Sequence, residues 1–145
     1  MQTVYESIVI WLNSILQNPI NSFPSTALVI DLETIPNWTE FQNAGIFSSP
    51  NDIATELLAG NVKHTEFKSF YLRMSFGDFQ NRLKNETFLE KLRQCIHERN
   101  QSGPMPIDGR EWVSININAG IYPAQRAENN LWAEYLVPLK LVYVQ

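Results

Sequence analysis

The chain has 145 residues, of which 44% are hydrophobic, 12% aromatic and 18% charged, a mixture far from the apolar-poor compositions that stay unfolded. A net charge of −4 and a pI near 5.1 give no bulk attraction for nucleic acid or an anionic membrane. Cys95 is the only cysteine, which excludes an intramolecular disulfide and a zinc site built on several thiolates.

Val4, Ile8, Trp11, Leu12, Ile15 and Leu16 recur at three- and four-residue spacing and predict a first helix, stopped at Asn18-Pro19 because proline cannot continue the ladder. Ala27 to Leu32 is branched and apolar, with Leu28, Ile30 and Leu32 alternating against Val29 and Asp31, and predicts a strand. Thr34 to Ser49 reads as a long connection, and such lengths are uncommon in compact domains unless they serve a purpose.

Ile53 to Ala59 fits a short helix or a strand, and the Gly60-Asn61 turn favours the strand of a hairpin. Its second arm runs from about Val62 to Ser75, with Phe70, Leu72, Met74 and Phe76 on one face. Gly77-Asp78 breaks it, and Phe79, Leu83, Phe88, Leu89, Leu92, Cys95 and Ile96 predict a second amphipathic helix, capped by Asp78 or Asn85 and ended at Ser102-Gly103-Pro104. Val113, Ile115 and Ile117 then predict a strand, Gly120 to Asn130 a polar loop, and Leu131 to the C-terminus a last strand. Pro138 places part of that strand at a sheet edge or bulge.

The expectation is one α+β domain over 1–145: two helices packed on a mostly antiparallel sheet of about five strands, in the order α-β-β-β-α-β-β. A domain of this size buries roughly 68–70% of its unfolded surface, enough for a core without staples. Apolar runs such as Ile8 to Leu12 are far shorter than a membrane span, and Met1 to Glu6 carries one acid and no base, unlike a secretory signal. Synthesis and residence in the cytoplasm are expected.

No P-loop, dinucleotide turn, nucleophile elbow or zinc motif is present. Cys95 and His97, two apart on a helix, point in different directions, so they read as a small core residue and an exposed helix-end histidine rather than a catalytic pair. Asp31 and Glu33 share a strand face and could pair as metal-site or glycosidase carboxylates do. With no third ligand nearby, a solvated face is the simpler reading. The bases Arg82, Lys84, Lys91, Arg93 and Arg99 are interleaved with Glu86, Glu90 and Glu98, the pattern of a solvated helix face. Trp38, Phe41, Ile46, Phe47, Ile121 and Tyr122 are apolar residues in connecting segments, which either fold back onto the core or meet a partner.

The run from Asn85 to Gln145 resembles a family of small proteins from the structural-gene clusters of tailed phages and prophages of Gram-positive bacteria, often called minor capsid proteins. The resemblance rests on the helix with Phe88, Leu89, Leu92 and Ile96, its exit Asn100-Gln101-Ser102-Gly103-Pro104-Met105-Pro106, and the strand Val113, Ile115, Ile117 followed by Gly120-Ile121-Tyr122. It includes the closing strand Tyr135-Leu136-Val137-Pro138-Leu139-Lys140-Leu141-Val142-Tyr143. Upstream, Ile30 to Pro36 and the Gly60-Asn61 hairpin fit the same layout. Two features depart from it: Pro138 stands where an ordinary strand residue is expected, and Asn37 to Asp52 is longer than the family's connection.

The resemblance implies a virion structural protein, a tail terminator or tail-completion protein assembled in the bacterial host cytoplasm. Its subunits form a hexameric ring that caps the head-proximal end of the tail tube and joins it to the neck. Such a protein is not an enzyme and needs no cofactor or metal. Its partners are its own copies, the tail tube protein and a neck or connector protein, with no membrane, and DNA passes through the channel without specific binding. The loops Asn37 to Asp52 and Ala119 to Asn130 are the expected contact segments, with their aromatic residues as anchors and Arg126 and Glu128 as polar residues that set register. A head-tail connector is the alternative from the same gene neighbourhood; a stand-alone binding module or an unrecognised enzyme is the alternative from another class.

Overall fold

The structure is a computed structural model and describes residues 3–17, 29–32, 43–48, 52–102 and 109–145. Two helices, α1 (Val4–Gln17) and α2 (Phe79–Ser102), pack on a sheet of strands β1 (Val29–Leu32), β2 (Asn43–Ser48), β3 (Ile53–Glu56), β4 (Val62–Ser75), β5 (Glu111–Ile117), β6 (Tyr122–Arg126) and β7 (Trp132–Val144). The class is α+β as expected, with seven strands among the described residues rather than about five. The sheet runs β1-β2-β4-β7-β5, with β3 beside β4 and β6 beside β7; among the described strands only β1 and β2 pair in parallel.

Its spine is the antiparallel ladder between β4 and β7, continuous from Lys63↔Val144 to Ser75↔Trp132 and about 45 Å long at strand rise. Alternation along the two strands sends Phe70, Leu72 and Met74 to the same face as Val137, Tyr135 and Ala133. There they meet Ile8, Trp11, Leu12 and Ile15 of α1 and Phe88, Leu89, Leu92 and Ile96 of α2 in one buried cluster.

Helix α1 is fixed at its start by a capping box. The Glu6 N–H donates to Thr3 Oγ1 at 3.1 Å and the Thr3 N–H to Glu6 Oε2 at 3.2 Å, which satisfies two donors that a helix start leaves open. Helix α2 is capped by Asp78, whose Oδ1 accepts the Asn81 N–H at 2.8 Å. Asn85 is buried inside the helix, donating through Nδ2 to the Ser75 carbonyl at 2.7 Å. Phe79 and Leu83, expected on the buried stripe, are 66% and 50% exposed; the first two turns of α2 leave them outside the core, and the buried stripe begins at Asn85.

Two segments expected to be connections contain strands. The stretch 34–49 holds β2, hydrogen-bonded between β1 and β4, and the loop after Gly120 holds β6. Gly45 breaks the apolar alternation in β2, and in β6 every residue is exposed, so neither shows the two-residue period of a half-buried strand. The hairpin arms β3 and β4 are as expected. Their turn puts Ala59 and Gly60 both at positive φ (72° and 82°) and closes with the Leu57 N–H donating to the Asn61 carbonyl at 2.7 Å.

Pro138 corrects another expectation, because it stands in the central strand β7, opposite Ser69 of β4. The Asn118 N–H donates to its carbonyl at 2.8 Å. A strand residue's N–H and C=O point to the same side, so the missing donor faces the gap where β7's neighbour changes from β5 to β6. In β5 a bulge between Trp112 and Ser114 turns Val113 out to 53% exposure, which takes it off the face it was expected to share with Ile115. Among the described residues no helix is long and apolar enough to cross a membrane.

Candidate interaction surface

The face of the sheet that no described helix covers carries Phe47 from β2, Phe67, Tyr71 and Arg73 from β4, Trp132, Glu134 and Leu136 from β7, and Tyr122 from β6, as the strand registers require. Tyr122, Leu136, Tyr71 and Gly45 form one cross-strand row, and Phe47 meets Tyr71 edge to face with ring centroids 5.2 Å apart. These aromatic and apolar groups are half-buried or exposed. A shallow cleft of about 380 Å³ opens among Phe47, Ser69, Tyr71, Gln125 and Glu134.

At the centre of this face Arg73 grips Glu134 across the β4–β7 ladder. Its Nη2 and Nε lie 2.5 and 3.1 Å from the same carboxylate oxygen, and its guanidinium stacks 4.4 Å from the Trp132 ring centroid. The two side chains are only 13% and 8% exposed.

Of the residues singled out in the sequence, Phe47 and Tyr122 share this face. Ile46, one residue from Phe47, points the other way and is fully buried in the core, and Ile121 packs partly against it; for these two the fold-back alternative holds. Arg126 is exposed, with its guanidinium 5.7 Å from the Phe76 ring centroid and that of Arg82 at 5.3 Å. Glu128 is exposed in the β6–β7 turn. Trp38 and Phe41 lie outside the described residues, as does Glu33; Asp31 lies in β1 and its side chain is not described.

A second polar grouping, which the sequence reading missed, sits where the core ends under the first turn of α1. Buried Lys68 lies 3.4 Å from Glu66 Oε1 and 3.9 Å from Asp52 Oδ2, with the Tyr5 ring 5.0 Å from its nitrogen. Beside it Tyr143 is stacked on His64 at 4.9 Å, packs on Trp112 at 5.0 Å and has Arg110 over its ring at 5.5 Å. The alternation of β4 was the available signal, since Glu66 and Lys68 continue the face that Phe70 and Leu72 bury.

Burial pushes the Tyr143 phenol well above its ordinary value, and the neighbouring Glu66 carboxylate adds to this against the opposing Arg110. Burial raises the Tyr135 phenol too, opposed by a hydrogen bond from Asn85. In both cases the unfolded chain ionises first, so the stability these phenols hold is fully present below about pH 10, the ordinary tyrosine value, and is lost as pH rises from there towards the folded-state values. Ultraviolet titration is expected to show the Tyr135 and Tyr143 phenols still un-ionised in the folded protein where a free tyrosine has ionised. Full ionisation in one step with the fold intact would contradict the packing around both.

Burial likewise raises the Cys95 thiol, helped by Glu98, while His97 is exposed and lies 3.2 Å from the Gln101 amide. Among the described residues no group of three or more His, Cys, Asp and Glu is placed to hold a metal ion. The described surface carries aromatic faces, a largely buried ion pair and exposed strands. Comparison with protein-family models finds no match, and no curated protein matches the chain.

Proposed function

We propose that this protein is a virion structural protein of a tailed phage or prophage, a tail terminator whose subunits form a ring on the head-proximal end of the tail tube and join it to the neck. The resemblance of residues 85–145 to the minor capsid family motivates the reading. The observation that carries it is the sheet face that no described helix covers, where Phe47, Tyr71, Leu136 and Tyr122 form a partly exposed aromatic and apolar band across four strands. A surface of this kind suits a protein that works by contact. Phe47 and Tyr122 come to it from the two segments expected to carry contacts.

In this reading the sheet is the rigid frame and the helices hold it from one side. Ring closure requires one heterologous contact, and the axial faces meet the tube and the connector. The acidic balance of the chain suits a wall past which DNA slides without adhering. A head-tail connector meets the same requirements, and subunit position in particle images separates the two.

The test is the solution mass of the purified chain by light scattering across a concentration series, alone and with purified tail tubes. Closed rings, or rings that appear only on tube ends, are expected. A monomer at every concentration that ignores tubes would overturn the proposal.

A further inference from the structure

Among the strands whose burial is described, two are exposed along their whole length, and they sit at diagonally opposite corners of the sheet. All four residues of β3 are exposed, and it pairs with the beginning of β4. All five residues of β6 are exposed, and it pairs with the beginning of β7, at the other end of the β4–β7 ladder. Because β3 flanks β4 and β6 flanks β7, the two lie on opposite edges as well as at opposite ends.

Each corner presents large apolar side chains: Ile53 (58% exposed) and Leu57 (40%) at one, Tyr122 (52%) and Leu131 (50%) at the other. Their charges are complementary. Glu56 ends β3 and is exposed, whereas Arg126 ends β6 and is exposed, with Arg82 beside the same Phe76 ring. Lys63 and Glu128 are the charges of opposite sign. Of the acids nearby, Asp52 accepts the Phe67 N–H at 3.0 Å, Asp78 accepts the Asn81 N–H at 2.8 Å, and exposed Glu86 shares the surroundings of Tyr135 with Arg82 and Arg126.

Strand direction completes the match. β3 and β7 both run antiparallel to β4, and β6 runs antiparallel to β7, so β3 and β6 run in opposite senses. A second copy whose strands run in the same general sense, displaced sideways and along them, therefore brings its β3 antiparallel to the first copy's β6.

We propose that these corners are the two halves of one contact between copies of this chain, with Ile53 and Leu57 of one subunit against Tyr122 and Leu131 of the next and Glu56 facing Arg126. Such a contact is heterologous and repeats from subunit to subunit; that it closes rests on the ring reading above. Pro123 and the β6 bulge at Ala124 break up the row of edge donors, so side chains make the contact rather than a continued ladder.

The test uses the full chain in sedimentation velocity, with tail tubes added if the free protein does not assemble, and circular dichroism to confirm folding. Glu56→Arg and Arg126→Glu are each expected to raise the concentration needed for assembly at least tenfold, and the two together to bring it back near the wild-type value. Independently, Ile53→Cys with Tyr122→Cys in a Cys95→Ser background is expected to form disulfides between copies under mild oxidation.

Assembly indifferent to both single swaps, with no crosslink, would overturn the corner contact and leave the ring reading standing. Crosslinked open filaments would support the contact and overturn the ring. A wild-type chain that never assembles would overturn both.

Discussion

Arg73→Leu is expected to lower the unfolding free energy by about 3–5 kcal/mol, because it leaves the Glu134 carboxylate desolvated and without its partner. The carboxylate is almost hidden, although it stands on the face that no described helix covers. Its cover is lateral: Arg73 reaches across from β4, and Trp132 stacks on the guanidinium. Glu134→Leu removes the opposite charge and strands the guanidinium, which has a longer apolar stem and a route to water, so its cost is expected to be smaller. The double substitution to leucine is expected to lie closer to wild type than Arg73→Leu does, since removing both charges also removes both desolvation penalties. Urea unfolding of the four proteins measures the coupling. A single Arg73→Leu within 1 kcal/mol of wild type would mean that water reaches the pair, and would weaken the picture of a dry, preformed contact face.

The elements legible in the sequence were those with a strong period and one buried side. Helix α1, the long arm β4 and the last strand announce themselves because Ile8, Trp11, Leu12 and Ile15, or Phe70, Leu72 and Met74, repeat at the spacing their geometry imposes. The capping box Thr3-Val4-Tyr5-Glu6 went unread, although a threonine followed three residues later by a glutamate at the head of an apolar run is its signature. Strand β6 could not be read in the same way, because a strand exposed on both faces has no apolar side to alternate. Its Pro123 and Gln125 look like loop chemistry, and only pairing with β7 makes it a strand. Ile46 and Phe47 show the same limit at the level of a site. Adjacent residues of a strand face opposite ways, so an apolar pair in an unassigned segment gives no means of saying which is core and which is surface until the register with Phe70 and Ser69 is known. The polar cluster around Lys68 and Tyr143 was half legible: the alternation of β4 puts Glu66 and Lys68 on the face of Phe70 and Leu72, but only the ladder brings in Tyr143, 75 positions from Lys68.

The sheet edges differ in how they are protected, and Asn100 shows the difference. Its Nδ2 donates to the Ile115 carbonyl and its Oδ1 accepts the Ile115 N–H at 2.8 Å, so one side-chain amide occupies the two edge groups as a neighbouring strand would. Nδ2 also lies 3.1 Å from the Ile96 carbonyl and 2.7 Å from Asn116 Oδ1, which ties the last turns of α2 to β5. Asn100→Ala is expected to cost about 2–3 kcal/mol, the sum of two partly buried backbone groups losing their partners. Asn100→Asp is expected to be at least as damaging: the carboxylate still accepts from the Ile115 N–H but faces the Ile115 and Ile96 carbonyls with no donor, near the negative end of the helix. Both are measurable as a lowered urea midpoint at unchanged slope. Because the freed edge of β5 becomes open to pairing, concentration-dependent scattering is expected to accompany the loss, and a Leu substitution at exposed Val113, which leaves Asn100 in place, is expected to show neither effect. An Asn100→Ala protein as stable as wild type would mean that water satisfies Ile115 and that α2 does not guard this edge. Among the strands whose burial is described, β3 and β6 are the two with every residue exposed, and the proposed subunit contact joins their corners while Asn100 guards the edge of β5.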